Sequence, residues 1–268
     1  MREATDSAGP PQRAPTGLIG SVQRALRVLE IVATAGDGVA AKVVARRCGF
    51  KLSTTYHLLN TLVHEGYLVR LSNGYGLGYK VSGLNTQLCS ELDAGPGVHQ
   101  ALHAVHSRAA APVYYTVFRD SEVVIAAVAD SPDIPRAEPL DLGFHEAPHA
   151  TAFGKVMLAA KGDRDRRDYL CGSGMPRLTD RTITRLSDLE AELSHVRGAG
   201  MALEIEEFQP ELACLGAPVI GKDGQISGAV ALSVPAWEFS DRRWALERAA
   251  RYGAARVSRL LATADSAG

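Results

Sequence analysis

Apolar residues three and four positions apart, punctuated by glycine, organise the first third of the chain. Val22, Ala25, Leu26, Leu29, Val32 and Ala33 keep the helical period up to a stop at Gly36-Asp37-Gly38. Ala40, Val43, Val44 and Cys48 repeat it over a shorter helix, and Gly49 suits the left-handed residue that ends a helix and turns the chain. A third helix is expected to open at Ser53, whose hydroxyl can cap an otherwise orphan amide. Leu58, Leu59, Leu62 and Val63 then face inward, leaving Thr54, Thr55, His57, Asn60, Thr61 and His64 outside. The period shortens after this helix. Gly66-Tyr67-Leu68-Val69-Arg70 and Tyr75-Gly76-Leu77-Gly78 flank an Asn73-Gly74 turn signal, which predicts a two-stranded ribbon.

Helix, turn, helix and ribbon in that order specify a winged helix-turn-helix. The last helix would offer donors and acceptors to base edges in a major groove, while its N-terminus, with Lys51 beside it, suits a phosphate. An ordinary helical hairpin shares the helix-Gly-helix pattern, and the ribbon separates the two readings. Lys51, Ser53, Thr54, Thr55, His57, Asn60 and Arg70 are the candidate DNA-contacting residues.

Downstream, Val81, Leu84, Leu88 and Leu92 predict a linker helix from Tyr79 to Leu92, followed by a break at Asp93-Ala94-Gly95-Pro96-Gly97. A helix over Val98 to Ala111 follows. Val113 to Phe118 and Val123 to Val128 form a predicted hairpin, and Pro139 to Gly143 a further strand. Pro148 to Ala159 reads as a helix of small residues, and Leu186 to Gly198 as another. Three strands are expected at Met201 to Phe208, Leu212 to Val219 and Gln225 to Val234, before a closing helix from Arg242 to Leu261. Helices around hairpin-connected strands give an α+β fold with an antiparallel sheet. The expected organisation is a disordered tail over 1–19, the winged head over 20–80, the linker over 81–97 and a sheet domain over 98–264.

Charge adds an asymmetry to this picture. The first 80 residues hold ten Lys and Arg against five Asp and Glu, and the remainder nineteen against twenty-five, so the total of −1 hides a basic head on an acidic body. Only the head suits a polyanion. Hydrophobic content of 46% and charged content of 22% fit a globular chain. With no membrane-length apolar run and no secretory start, a cytoplasmic protein is expected. Cys48, Cys89, Cys171 and Cys214 lie far apart, which predicts reduced thiols rather than a zinc ribbon or disulfide framework.

Catalytic and metal signatures are incomplete. Gly172-Ser173-Gly174 lacks the flanks of a nucleophile elbow, Gly154-Lys155 lacks the rest of a phosphate-binding loop, and Cys214 has no His partner in sequence. An enzyme is therefore not expected, nor any cofactor. His99, His103 and His106 share a helix face without a completing Cys or carboxylate. Glu204 and Glu206 alternate onto one strand face near His145 or His149, and acids placed so are more often solvated or paired with arginine than bound to metal.

The residues also carry a resemblance. STTYHLL and EGYLVR in the head, HATAFGKVMLA, and VRGAGMALEIEEFQPELACLGAPVIGKDGQISGAVALSV resemble the IclR family of bacterial transcription regulators from Ser21 onward. The resemblance implies a homodimer or tetramer acting on double-stranded DNA at a palindromic operator, as repressor or activator. It also implies a GAF-like C-terminal domain that binds a small effector, often an organic acid. The matching pocket positions are Gly143, Phe144, Glu204, Cys214, Ala231 and Ser233. Ala231 stands where a hydroxyl is frequent, Phe144 where a small residue is usual and Glu204 where Asp is common, which implies a smaller or altered pocket. A second reading has that pocket packed shut and control exerted through protein amount or partner proteins. His57, where Arg is frequent, lacks the bidentate fork that reads guanine and implies a different base preference.

Overall fold

A computed structural model describes residues 17–263 apart from Asp37, Asp93, Asp120 and Ser121. Most of the expected N-terminal tail and the tips of three predicted turns therefore lie outside the described residues. The chain divides into two compact units between Gln87 and Leu88.

In the first unit, α1 (Gly20–Ala33), α2 (Ala41–Cys48) and α3 (Leu52–His64) precede the ribbon of β1 (Leu68–Leu71) and β2 (Gly74–Leu77). The helical stripes converge, and Val28, Val32, Val44, Cys48, Leu59, Leu62, Leu68 and Tyr75 form one buried core. Gly49 ends α2 at φ 70°, in the left-handed region its position requires. The ribbon turns one residue earlier than expected. Leu71 pairs with Gly74 across Ser72-Asn73, and Gly74 opens β2. Val39 explains the shift, because it bridges to Tyr75 and a Cβ on Gly74 would lie 2.3 Å from its carbonyl oxygen. The glycine serves a close backbone approach rather than the turn.

Helix α4 (Tyr79–Leu92) spans the predicted linker segment, and α5 (Pro96–Ala109) follows. The second unit is built on five antiparallel strands, β3 (Val113–Arg119), β4 (Glu122–Ala129), β5 (Ala202–Ile205), β6 (Leu212–Ile220) and β7 (Ile226–Pro235), in the order β4-β3-β7-β6-β5. Strand alternation divides its side chains between two cores. Leu215, Val230 and Leu232 join Val105 of α5 and Leu246 and Val257 of α9 (Ala236–Thr263) on one face. On the other, Tyr114, Ile125, Cys214 and Ala231 pack with Phe153 and Met157 of α6 (Ala152–Ala160) and Leu189 of α8 (Leu186–Ala199).

Pro139 to Gly143 is not a strand. Ile125 ties this loop to the sheet through its backbone, donating to Phe144 O at 2.9 Å and accepting from Gly143 N at 2.8 Å. Strand β5 ends at Ile205, because Glu206 turns the chain at φ 58°. Helix α7 (Asp163–Ser173) had no apolar period to announce it. Its anchor is polar: the buried Arg166 donates to Glu190 at 2.6 and 3.1 Å, to Asp163 at 2.7 Å and to the Lys161 carbonyl at 2.6 Å. No helix among the described residues is long and apolar enough to cross a membrane.

Candidate nucleic-acid interface and effector pocket

Helix α3 begins at Leu52 rather than Ser53. Lys51 occupies the N-cap position with extended backbone and makes no side-chain cap bond. The spacing along the helix fixes which face is buried. Thr55, Leu59 and Leu62, at spacings of four and three, point into the core. Thr55 is thus corrected from a candidate DNA contact to a core residue. It is fully buried, and its hydroxyl donates to the Lys51 carbonyl at 3.1 Å.

Lys51, Ser53, His57 and Asn60 are exposed and Thr54 half-buried, so five of the six candidates on or beside this helix share its outer side. Tyr56, 43% exposed, joins them, and sequence reading missed it, although it lies three residues from Ser53 and four from Asn60. Arg70 of β1 donates to Asn60 Oδ1 at 2.7 Å and lies 6.0 Å from the Tyr75 ring centre. Ribbon and helix are held together by two of the predicted contacts themselves. Arg46 and Arg47, exposed at the end of α2, add positive charge that the sequence reading did not assign to the site.

Pairing of β5, β6 and β7 sets Glu204, Cys214 and Ser233 side by side across three strands. Ala231 lies on the same face, opposite Tyr114. All four predicted strand residues are buried, as is Phe144, and Gly143 precedes it at φ 83°. The Phe144 ring meets Phe208 edge-on at 5.6 Å and Phe153 at 6.3 Å between centres. The Ser233 hydroxyl is already engaged by Tyr114 Oη at 3.0 Å, and Tyr114 Oη also accepts from Ala137 N at 3.3 Å.

Glu204 has no exposed surface. Its Oε1 accepts from Glu207 N at 2.7 Å and Phe208 N at 3.1 Å, while its Oε2 is buried without a partner. Burial outweighs the two amide bonds and the hydrogen bond with the Cys214 thiol and leaves the carboxyl pushed up to about 7. Burial and the adjacent Glu204 charge likewise push the Cys214 thiol up, so it is a packed wall and not a nucleophile.

Beside this row lies a charged cluster that sequence reading missed. Lys155 of α6 is fully buried and donates to Glu207 Oε1 at 2.6 Å, Leu203 O at 3.1 Å and Glu192 Oε1 at 3.4 Å. A lysine amid Phe153, Val156, Met157 and Leu158 was the available signal. His149, also buried, donates through Nε2 to Pro176 O at 3.1 Å; its Nδ1 has no partner, and burial lowers its pKa. Of the three histidines on α5, His106 is buried and donates through Nδ1 to Ala111 O at 2.9 Å. Glu206, past the end of β5, pairs with Arg181 at 3.2 Å and does not share the fate of Glu204. A cleft of about 510 Å³ borders β5, with Arg181, Leu203, Glu207 and Arg243 in its lining; none of the six predicted effector residues lines it.

Glu204 gives a pH signature. A carboxyl with a higher pKa folded than unfolded disfavours the fold as it ionises. Its contribution is intact below about 4.5, falls as the pH rises to about 7 and changes no further above. Chemical unfolding across this range is expected to fall more steeply in the wild type than in Glu204→Gln. Parallel profiles would mean that the carboxyl is already ionised in the fold.

Comparison with known proteins agrees with this architecture. Residues 95–259, more than half of the chain, match the family described as bacterial transcriptional regulator IclR, C-terminal; residues 21–72 match the IclR helix-turn-helix domain. The HTH-type transcriptional regulator BhcR of Paracoccus denitrificans is 26% identical over 232 residues, covering 85% of this chain and 82% of its own. The crystal structure of the Thermotoga maritima IclR superposes with a TM-score of 0.69 at 22% identity, covering 91% of this chain and 99% of that one. An IclR homologue from Microbacterium hydrocarbonoxydans, crystallised with 4-hydroxybenzoate, gives 0.68 at 19% identity, covering 90% and 98%. A basic winged head, a five-stranded antiparallel body and two family matches in the same order lead to one assignment: the chain belongs to the IclR family of bacterial transcriptional regulators.

Proposed function

We propose that the chain binds a palindromic operator as a homodimer through its winged heads, and that a small organic acid held over β5, β6 and β7 alters that affinity. Lys51, Arg46 and Arg47 serve phosphates, and Ser53, Thr54, His57 and Asn60 face base edges, with Arg70 steadying Asn60. Exposed apolar side chains support pairing: Val22 and Leu26 on α1, and Tyr79 and Leu84 on α4.

The observation that carries the ligand reading is Glu204 Oε2, a buried carboxylate oxygen left unmatched beside the apolar core and the Tyr114–Ser233 pair. At about 7 the carboxyl is half protonated near neutral pH and can donate to a ligand carboxylate. The homologue crystallised with 4-hydroxybenzoate makes aromatic acids the first probes.

Phe144 favours a second reading. Its ring, packed on Phe153 and Phe208, fills the place a ligand would need, and Tyr114 engages the Ser233 hydroxyl. Titration with 4-hydroxybenzoate and short aliphatic acids separates the two. The ligand reading expects one of them to raise the unfolding midpoint and shift operator affinity by its differential affinity for the two states. No change in either quantity with any of them contradicts it and leaves the closed pocket.

A further inference from the structure

We infer that the cleft beside β5 is a second ligand site, separate from the pocket over β5, β6 and β7, and that it takes a small zwitterion with an amine and a carboxylate at the two ends of a short apolar chain. Its place follows from the sheet. Strand β5 ends the order β4-β3-β7-β6-β5, with α8 packed on one face of the sheet and α9 on the other. Glu192, His195 and Ala199 recur along α8 at spacings of three and four, and Arg243, Glu247 and Arg251 along α9 at four, so each helix gives one stripe to the cleft. Its volume of about 510 Å³ is that of a small-molecule site, and Met201, Leu203, Ile205 and Leu215 supply the apolar part of its lining.

The class of ligand follows from the charge on each side. Towards α8 one ammonium serves two carboxylates. Lys155 donates to Glu207 at 2.6 Å and to Glu192 at 3.4 Å, which leaves this side one negative charge in excess. Glu207 lines the cleft, and its Oε2 is buried without a partner. Towards α9 the balance is reversed, because Arg243 at 2.9 Å and Arg251 at 3.7 Å share the carboxylate of Glu247. Arg181 is offset by Glu206 at 3.2 Å and adds no net charge.

A simple anion would relieve the α9 side alone, and a simple cation the α8 side alone. A zwitterion relieves both. Since the opposite charges belong to helices on opposite faces of the sheet, the two groups of the ligand must stand apart, as they do in an ω-amino acid. The ammonium then meets Glu207 and Glu192, the carboxylate takes the guanidinium fork of Arg251 or Arg243, and the methylenes between them cover the apolar residues of β5 and β6.

Calorimetric titration of the full-length protein with 4-aminobutyrate, 6-aminohexanoate and 8-aminooctanoate tests this without reference to the effector pocket. One of the three is expected to bind at one site per chain and to raise the unfolding midpoint. Hexanoate and hexylamine, which keep the chain but only one charge, should each bind about 10-fold more weakly or worse. Glu192→Gln and Arg251→Gln should each cost a similar factor. Both side chains are partly exposed, at 28% and 53%, so the midpoints of the ligand-free variants should match the wild type. Absence of binding by all three zwitterions overturns the proposal. So does equal binding of hexanoate or hexylamine, which would reduce the cleft to a site for one charge, and so does unchanged zwitterion binding in either variant, which would place the ligand elsewhere.

Discussion

Lys155→Met is expected to lower the unfolding free energy of the second unit by about 3–5 kcal/mol, the usual cost of leaving one half of a buried ion pair behind. Lys155 has no exposed surface and Glu207 little, so the ammonium has no water to fall back on and the carboxylate only what the bordering cleft supplies. Removing the ammonium leaves Glu207 with its Oε2 already lacking a partner and its Oε1 without the Lys155 bond. Methionine fills the volume, which separates the electrostatic loss from a cavity. Lys155→Met combined with Glu207→Gln should recover most of the loss, because no charge is then stranded. Denaturant titration measures both; a loss below about 1 kcal/mol in the single variant would mean that the pair is hydrated. The same residues bear on the pocket. Glu207 N is one of two amides whose bonds hold the Glu204 carboxyl down against burial, so loosening Glu207 should also push the titration of Glu204 further up.

In the head, Lys51 and His57 are expected to fail in different ways. Lys51→Ala removes a phosphate contact, weakening binding to every sequence and reducing the slope of log affinity against log salt by about 1. His57→Ala removes a base contact, costing about 10- to 100-fold on the operator, or roughly 1–3 kcal/mol, while leaving binding to random DNA nearly unchanged. Thr55→Val supplies the control. Its side chain is buried, so affinity should persist on both kinds of DNA. Anisotropy titrations over a salt series read all three, and equal losses for Lys51→Ala and His57→Ala on both DNAs would contradict the division of roles.

The helices and strands that carry a clear apolar period were legible in the sequence, and so was their order. What escaped had physical reasons. The cap of α3 is Lys51, whose extended backbone sufficed, rather than Ser53, and Thr55 was read as outward although it stands four residues before the core Leu59. Gly74 looked like a turn residue, although its role depends on Val39, far away in sequence. Pro139 to Gly143 has apolar residues like a strand, yet most of its backbone bonds close local turns and among the described residues Ile125 is its one backbone partner in the sheet. Helix α7 and Lys155 share one cause: both are held by buried ion pairs, which leave no periodic trace.

The pocket residues were placed by resemblance, and the structure brings Glu204, Cys214 and Ser233 into one row by strand register. Tyr114 and Glu207 joined them unannounced, because strand register and the turn after β5 make them neighbours. Phe144, expected to alter the pocket, is found packed between two other rings.

Operator recognition by the basic head is the central claim, and binding of the full-length protein to DNA from its own upstream region, beside a random fragment of equal length, tests it most directly. The account predicts a protected palindrome with half-sites about 34 Å apart, or a multiple of that, and an affinity that falls steeply with salt yet stays higher than on the random fragment. Equal, unprotected binding to both fragments at every salt concentration would contradict it.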